Sequence, residues 1–163
     1  MTLLAITNKI TGFLQQRDYV TFANKELGQI LGITTTRISD VLNVLASVLI
    51  LNRKNRNFIW KRCDIIHQFQ AFYASLDSEG RNTSIFEHTK TVVFKLKSGH
   101  ELDKDRRTYD VLAVLRALGV INKNRNWSLN GEPVNTSHLS LLPTYEVDTG
   151  LVYQFSFGYE FDL

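Results

Sequence analysis

The sequence predicts a mostly α-helical fold with small β wings, an α+β chain organised as two tandem winged helix-turn-helix domains. Three observations point there. Arg106-Arg-Thr-Tyr-Asp110 opens an apolar helical stripe, and Thr36-Arg-Ile-Ser-Asp40 opens a second version seventy positions earlier. Five of the six residues in Asp40–Leu45 recur in Asp110–Leu115, with only Asn43 and Ala113 differing. Each stripe leads into a polar, basic turn and a short apolar segment, which reads as a β-hairpin.

Taken in order, Leu3, Ile6, Ile10, Phe13 and Leu14 recur at helical spacing and predict a helix over residues 2–16. Val20-Thr-Phe22 reads as a short strand, followed by a helix from about Ala23 to Leu31 with Gly32 as its C-cap. Thr34 or Thr35 caps a third helix, whose apolar face is Ile38, Val41, Leu42, Leu45, Val48 and Leu49. Ile50-Leu51, the turn Asn52-Arg-Lys-Asn-Arg-Asn57 and Phe58-Ile-Trp60 then form a hairpin with a basic tip. Three helices followed by such a hairpin make the first winged domain, residues 1–62. In the second, residues 81–130, Asp103 or Asp105 caps a helix running to about Leu118, where Gly119 stops it. Val120-Ile121, the turn Asn122-Lys-Asn-Arg-Asn126 and Trp127-Ser-Leu129 repeat the hairpin. The front of this half is less regular. Ile65, Ile66, Phe69, Phe72 and Tyr73 form one helical stripe, so residues 63–80 are either a connector or the first helix of the second domain. Ile85, Phe86, Val92, Val93, Phe94 and Leu96 form another apolar group. The run from Lys95 to Lys104 is too short and polar for a full second helix, so this half is expected to be abbreviated.

The net charge of +3 conceals a block pattern. Residues 1–62 carry nine Lys/Arg against three Asp/Glu, and residues 81–130 carry ten against five. Residues 63–80 have three acids and no base, and residues 131–163 five acids and no Lys or Arg. Two basic modules joined by an acidic connector suit a polyanionic partner. No apolar run approaches the roughly 20 residues of a membrane span, and Met1–Ile10 reads as a helix of the fold rather than a targeting segment. The single cysteine, Cys63, leaves no intrachain disulfide and too few thiols for a zinc finger. His67, His88, His100 and His138 are scattered without ligand spacing. No phosphate-cradling glycine loop, nucleophile elbow or paired-carboxylate arrangement is present, so neither an enzyme nor a cofactor or metal is expected. The end of the chain, residues 131–163, is acidic and alternates aromatic with polar residues from Leu151 to Leu163. It reads as an added strand, or as a tail that docks a protein partner.

On these residues the chain resembles the E-two-factor/DP family of cell-cycle transcription factors, in particular members with two DNA-binding domains in tandem. Arg106-Arg107-Thr108-Tyr109-Asp110 matches the family's Arg-Arg-x-Tyr-Asp helix start in full. Asn55-Arg-Asn-Phe-Ile-Trp60 matches its hairpin, whereas Trp127 lies two residues closer to its asparagines. The resemblance implies a nuclear protein that binds double-stranded DNA and regulates transcription. Its paired arginines would read a G/C core, since a guanidinium fork donates two hydrogen bonds to guanine O6 and N7. Arg106, Arg107 and Arg37 are then the candidate base readers, supported by Tyr109, Asp110 and Asp40. Arg53, Lys54, Arg56, Lys61, Arg62, Lys104, Lys123 and Arg125 suit phosphate contacts. The first copy departs from the motif, with Thr36 for the first arginine and Ser39 for the tyrosine. Loss of one bidentate contact costs about 1–3 kcal/mol of discrimination, so the first copy is a degenerate partner. Family members join two domains across one site, and tandem copies would achieve that pairing within one chain. The competing expectation is a noncatalytic DNA-binding or scaffold subunit of a nuclear complex, docking its partner through the winged-helix surfaces or the C-terminal tail.

Overall fold

Thr2 starts the first helix: its hydroxyl oxygen accepts from the Ala5 amide at 3.1 Å, satisfying one of the donors that a helix start leaves open. The computed structural model describes residues 1–123 and 127–129. The described residues up to Trp127 form one compact unit, and the strand residues Ser128 and Leu129 fall outside it. Helix α1 (Leu3–Gln15) buries Leu3, Ile6, Ile10 and Leu14 along one face. Strand β1 (Tyr19–Ala23) runs directly into α2 (Asn24–Leu31), where the Glu26 carboxylate accepts from the Ala23 amide at 3.2 Å. Gly32 ends α2 in the left-handed region, with φ 69°. Helix α3 (Thr35–Ser47) follows, with Thr34 at its N-cap.

Strands β2 (Asn52–Lys54) and β3 (Asn57–Lys61) form the hairpin, and Asn55 takes φ 58° in its two-residue loop. Asparagine is one of the few residues that adopt this conformation readily. The sheet is antiparallel in the order β1-β3-β2, with Phe22 opposite Phe58 and Val20 opposite Trp60. Trp60 is fully buried, and its indole N–H donates to the Arg17 carbonyl at 2.9 Å. That bond ties the hairpin to the end of α1 and satisfies a polar atom that burial would otherwise strand. Helix α4 (Ile65–Ser75) is capped by Asp64 and α5 (Ile85–Ser98) by Ser84, and α6 (Arg106–Ala117) by Asp105 rather than Asp103. Strands β4 (Ile121–Lys123) and β5 (Trp127–Leu129) pair as a two-stranded sheet. The described residues are therefore mostly helical with small sheets, and none of their helices is long and apolar enough to cross a membrane.

The sequence repeat is repeated in backbone detail. Past α3, Val48, Leu49 and Ile50 donate to the carbonyls of Val44, Ala46 and Leu45 at 3.2, 3.2 and 3.0 Å. Past α6, Leu118, Gly119 and Val120 donate to Val114, Arg116 and Leu115 at 3.1, 3.0 and 3.3 Å. Leu49 and Gly119 hold the same left-handed place, with φ 67° and 79°. The assignment of Leu49 to the apolar face of the third helix is thereby corrected: it lies beyond the helix end and is half exposed. Ile66 likewise leaves the buried stripe of α4 and faces solvent.

A second repeat, much weaker in sequence, relates α1 to α5. Thr2 and Ser84 cap them in the same way. Four residues after the first helical residue, Thr7 donates to the Leu3 carbonyl and Thr89 to the Ile85 carbonyl, both at 2.7 Å and both with the threonine buried. Packing follows the same exchange. Helix α3 lies against α1 in its own half and against α5 of the other, and α6 lies against α5 and against α1. The four helices thus form a core with an approximate internal twofold. Helix α4 stands outside that correspondence. Leu3 precedes Asp40 by 37 positions and Ile85 precedes Asp110 by only 25. The shortfall falls where β1 and α2 have no counterpart in the second half.

Candidate nucleic-acid interface

Most polar side chains that remain open on α3 and α6 lie in their first turns, with Arg116 in the last turn of α6 the exception among the described residues. Beyond Asn43 on α3 every residue to Ser47 is buried. On α6, the outward stripe is Arg106, Tyr109, Ala113 and Arg116, at spacings of three, four and three. Arg106 is exposed and makes no hydrogen bond or ion pair among the described residues, and Tyr109 is half exposed. Arg107 differs from its neighbour in its contacts. Its Nη1 donates to the Thr83 carbonyl at 2.8 Å, tying the start of α6 to the start of α5.

The α6 start is fixed a second time below the surface. Asp105 accepts from the Thr108 amide at 2.8 Å, and buried Thr108 meets His88 Nε2 through its hydroxyl at 3.0 Å. The bonds from Thr108 hold the Asp105 carboxyl below its usual pKa, helped by His88 and Arg107 and opposed by burial. The helix start that carries Arg106 is thus clamped from both sides, while the Arg106 side chain itself makes no hydrogen bond or ion pair among the described residues.

Between α3 and α6 lies a cavity of about 220 Å³ lined by three equivalent pairs: Leu3 with Ile85, Asp40 with Asp110, and Val44 with Val114. Asn43 and Arg107 complete it. Burial pushes the Asp40 carboxyl pKa upward, and Asp110 across the gap adds to the rise. Arg37, Arg106 and Arg107 oppose it, so guanidinium groups from both helices act on one carboxylate. Arg37 stands 3.9 Å from Asp40 Oδ2, a loose pair on a partly exposed surface that contributes little to stability.

The expected phosphate contacts divide into two groups. Lys54 and Arg56 at the hairpin tip, with Lys61 and Lys104, are exposed and unpaired among the described residues. Arg53 donates to Asn43 Oδ1 at 3.2 Å, and its guanidinium stacks over Phe58 and over Phe86 of α5. Arg62 is held by Asp18 at 2.6 Å. Lys123 lies on β4, its side chain outside the described residues, as are Arg125 and the tail 131–163. Sequence reasoning gave His88 no role beyond packing or surface, and passed over Arg116 and the α1–α5 correspondence. The signal for the last was the shared spacing of Thr2 to Thr7 and Ser84 to Thr89. Among the described residues no cluster of three His, Cys, Asp or Glu could hold a metal ion. Comparisons with protein-family models, curated proteins and solved structures gave no match.

Proposed function

We propose that this chain binds double-stranded DNA with sequence preference and regulates transcription, as two winged helix-turn-helix units paired within one chain. The observation that carries the reading is the internal twofold. It sets the N-terminal turns of α3 and α6 beside each other, so that Arg37, Arg106 and Arg107 all act on the Asp40 carboxylate. Two helix starts this close on one face suit side-by-side entry into a single stretch of major groove, a tighter pairing than half-sites one helical turn, about 34 Å, apart. Among the described residues Arg106 is the guanidinium of the set without a hydrogen bond or ion pair, and in this reading it contacts guanine. The hairpin tip with Lys54 and Arg56 lies on phosphate, positioning without reading. The resemblance to the E-two-factor/DP family supports a G/C-core site and a nuclear location.

The test is anisotropy binding of the full chain to a G/C-core duplex and to a scrambled duplex across a salt series. Preference above about tenfold, with affinity falling steeply as salt rises, supports the reading. Equal, salt-sensitive binding to both leaves a DNA-binding subunit without sequence choice, and no binding leaves a scaffold. That second reading draws on Arg53, Arg62 and Arg107, which spend their guanidinium groups on contacts within the chain.

A further inference from the structure

Resting on that reading, we infer that the chain recognises an asymmetric DNA site as a single molecule, guanine being read from the α6 half, and that Thr36 sets the asymmetry. The cavity lined by Leu3 and Ile85, Asp40 and Asp110, and Val44 and Val114 lies on the pseudo-twofold between the two helices. Equivalent positions of α3 and α6 therefore face equivalent positions of a duplex. Thr36 and Arg106 are such a pair, both exposed.

The next pair, Arg37 and Arg107, does not restore symmetry, because its members differ in turn: Arg107 donates to the Thr83 carbonyl, whereas Arg37 has only the loose 3.9 Å pair with Asp40. Along the outward stripe, Arg106, Tyr109, Ala113 and Arg116 of α6 correspond to Thr36, Ser39, Asn43 and Ala46 of α3. The α6 stripe carries two cations and the α3 stripe none. Ser39 is also occupied by the Asn24 amide of α2, Asn43 by Arg53, and Ala46 is buried. Thr36 is the polar group that α3 leaves open at this level, and a hydroxyl cannot supply the two-donor fork that selects guanine. A palindrome offers such a surface one guanine contact more than it can use. An asymmetric site, by contrast, binds the chain in a single orientation and gives it a polarity on DNA.

The experiment uses the full chain and three duplexes sharing flanks, with guanine at the read position in both halves, in one half, or in neither. Wild type is expected to bind the first two within about twofold of each other and the third about tenfold more weakly. Thr36→Arg is expected to bind the duplex with two guanines about tenfold more tightly than the duplex with one. An unchanged melting temperature verifies that the variant folds. A wild-type loss of about tenfold on the one-guanine duplex overturns the inference, because both halves would then be reading. So does a Thr36→Arg chain that ranks the three duplexes as wild type does. If wild type binds all three alike, sequence reading itself fails, and the asymmetry falls with it.

Discussion

Arg106 and Arg107 are adjacent and chemically identical, yet their surroundings predict opposite outcomes for the same truncation. Arg106 is exposed without a hydrogen-bond or ion-pair partner among the described residues, so Arg106→Ala removes nothing that the folded chain uses. Its stability cost is expected to stay within about 0.5 kcal/mol. Its cost to recognition is a bidentate guanine contact, about 1–3 kcal/mol, or roughly 5- to 150-fold in preference for the G/C-core duplex over a scrambled one. Arg107→Ala instead deletes the 2.8 Å bond to the Thr83 carbonyl. That exposed bond is worth about 1 kcal/mol, or roughly 2–4 °C in melting temperature for a chain of this size. The carbonyl regains water, so the loss goes no higher. The assays are a thermal melt and paired anisotropy titrations on the two duplexes. Arg106→Ala should flatten the preference at constant melting temperature, and Arg107→Ala should lower the melting temperature while retaining most of the preference. If the two variants exchanged these signatures, or if Arg106→Ala kept the full preference, the assignment of reading to Arg106 and anchoring to Arg107 would be wrong.

Other outcomes follow from the same geometry. Lys54→Ala with Arg56→Ala should weaken binding to every duplex alike and reduce the slope of log affinity against log salt by about 2, read from a salt titration. Asp40→Asn should raise the melting temperature slightly at pH 7, because burial and Asp110 lift the Asp40 pKa and so disfavour its charged form in the folded chain. The sign follows from linkage: the folded chain binds the Asp40 proton more tightly, so the advantage is present above the raised pKa and fades as pH falls through it toward 3.8, measured by melts across pH. Gly119→Ala should cost about 1–2 kcal/mol, because φ is 79° there and a Cβ is disfavoured in that region. At the matching site, Leu49→Gly should be close to neutral in denaturant titration, relief of about 1–2 kcal/mol being offset by about 0.5–1 kcal/mol of glycine's extra chain entropy and by the lost burial of a half-exposed leucine side chain. Trp60→Ala should cost about 3–5 kcal/mol in the same titration, because it empties a fully buried site and leaves the Arg17 carbonyl without its donor.

Much of the local architecture was legible from residue order. Apolar spacing in Leu3–Leu14 and Ile38–Leu45 marked α1 and α3, and the asparagine-rich basic turns marked the hairpin. Caps were read in part: Thr2 and Ser84 went unnoticed, and Asp103 competed with Asp105 until the Thr108 amide decided between them. Leu49 was misplaced because periodicity counts apolar residues without knowing where a helix stops. The α1–α5 correspondence was hidden because only Thr7 and Thr89 carry an obvious shared signature, while buried positions accept any apolar residue of suitable volume.

The sequence by itself determined the repeated helix, its basic start, the hairpin and the loss of an arginine at Thr36, because each is written in neighbouring residues. The tertiary structure decided which arginine keeps no intrachain partner among the described residues. Arg107 is bound by a carbonyl 24 positions earlier, and Arg53 by Asn43 and by an aromatic ring of α5. It also decided that α3 and α6 share one core and one polar gap, since helices separated by sixty residues meet only through packing that burial drives and no local pattern encodes.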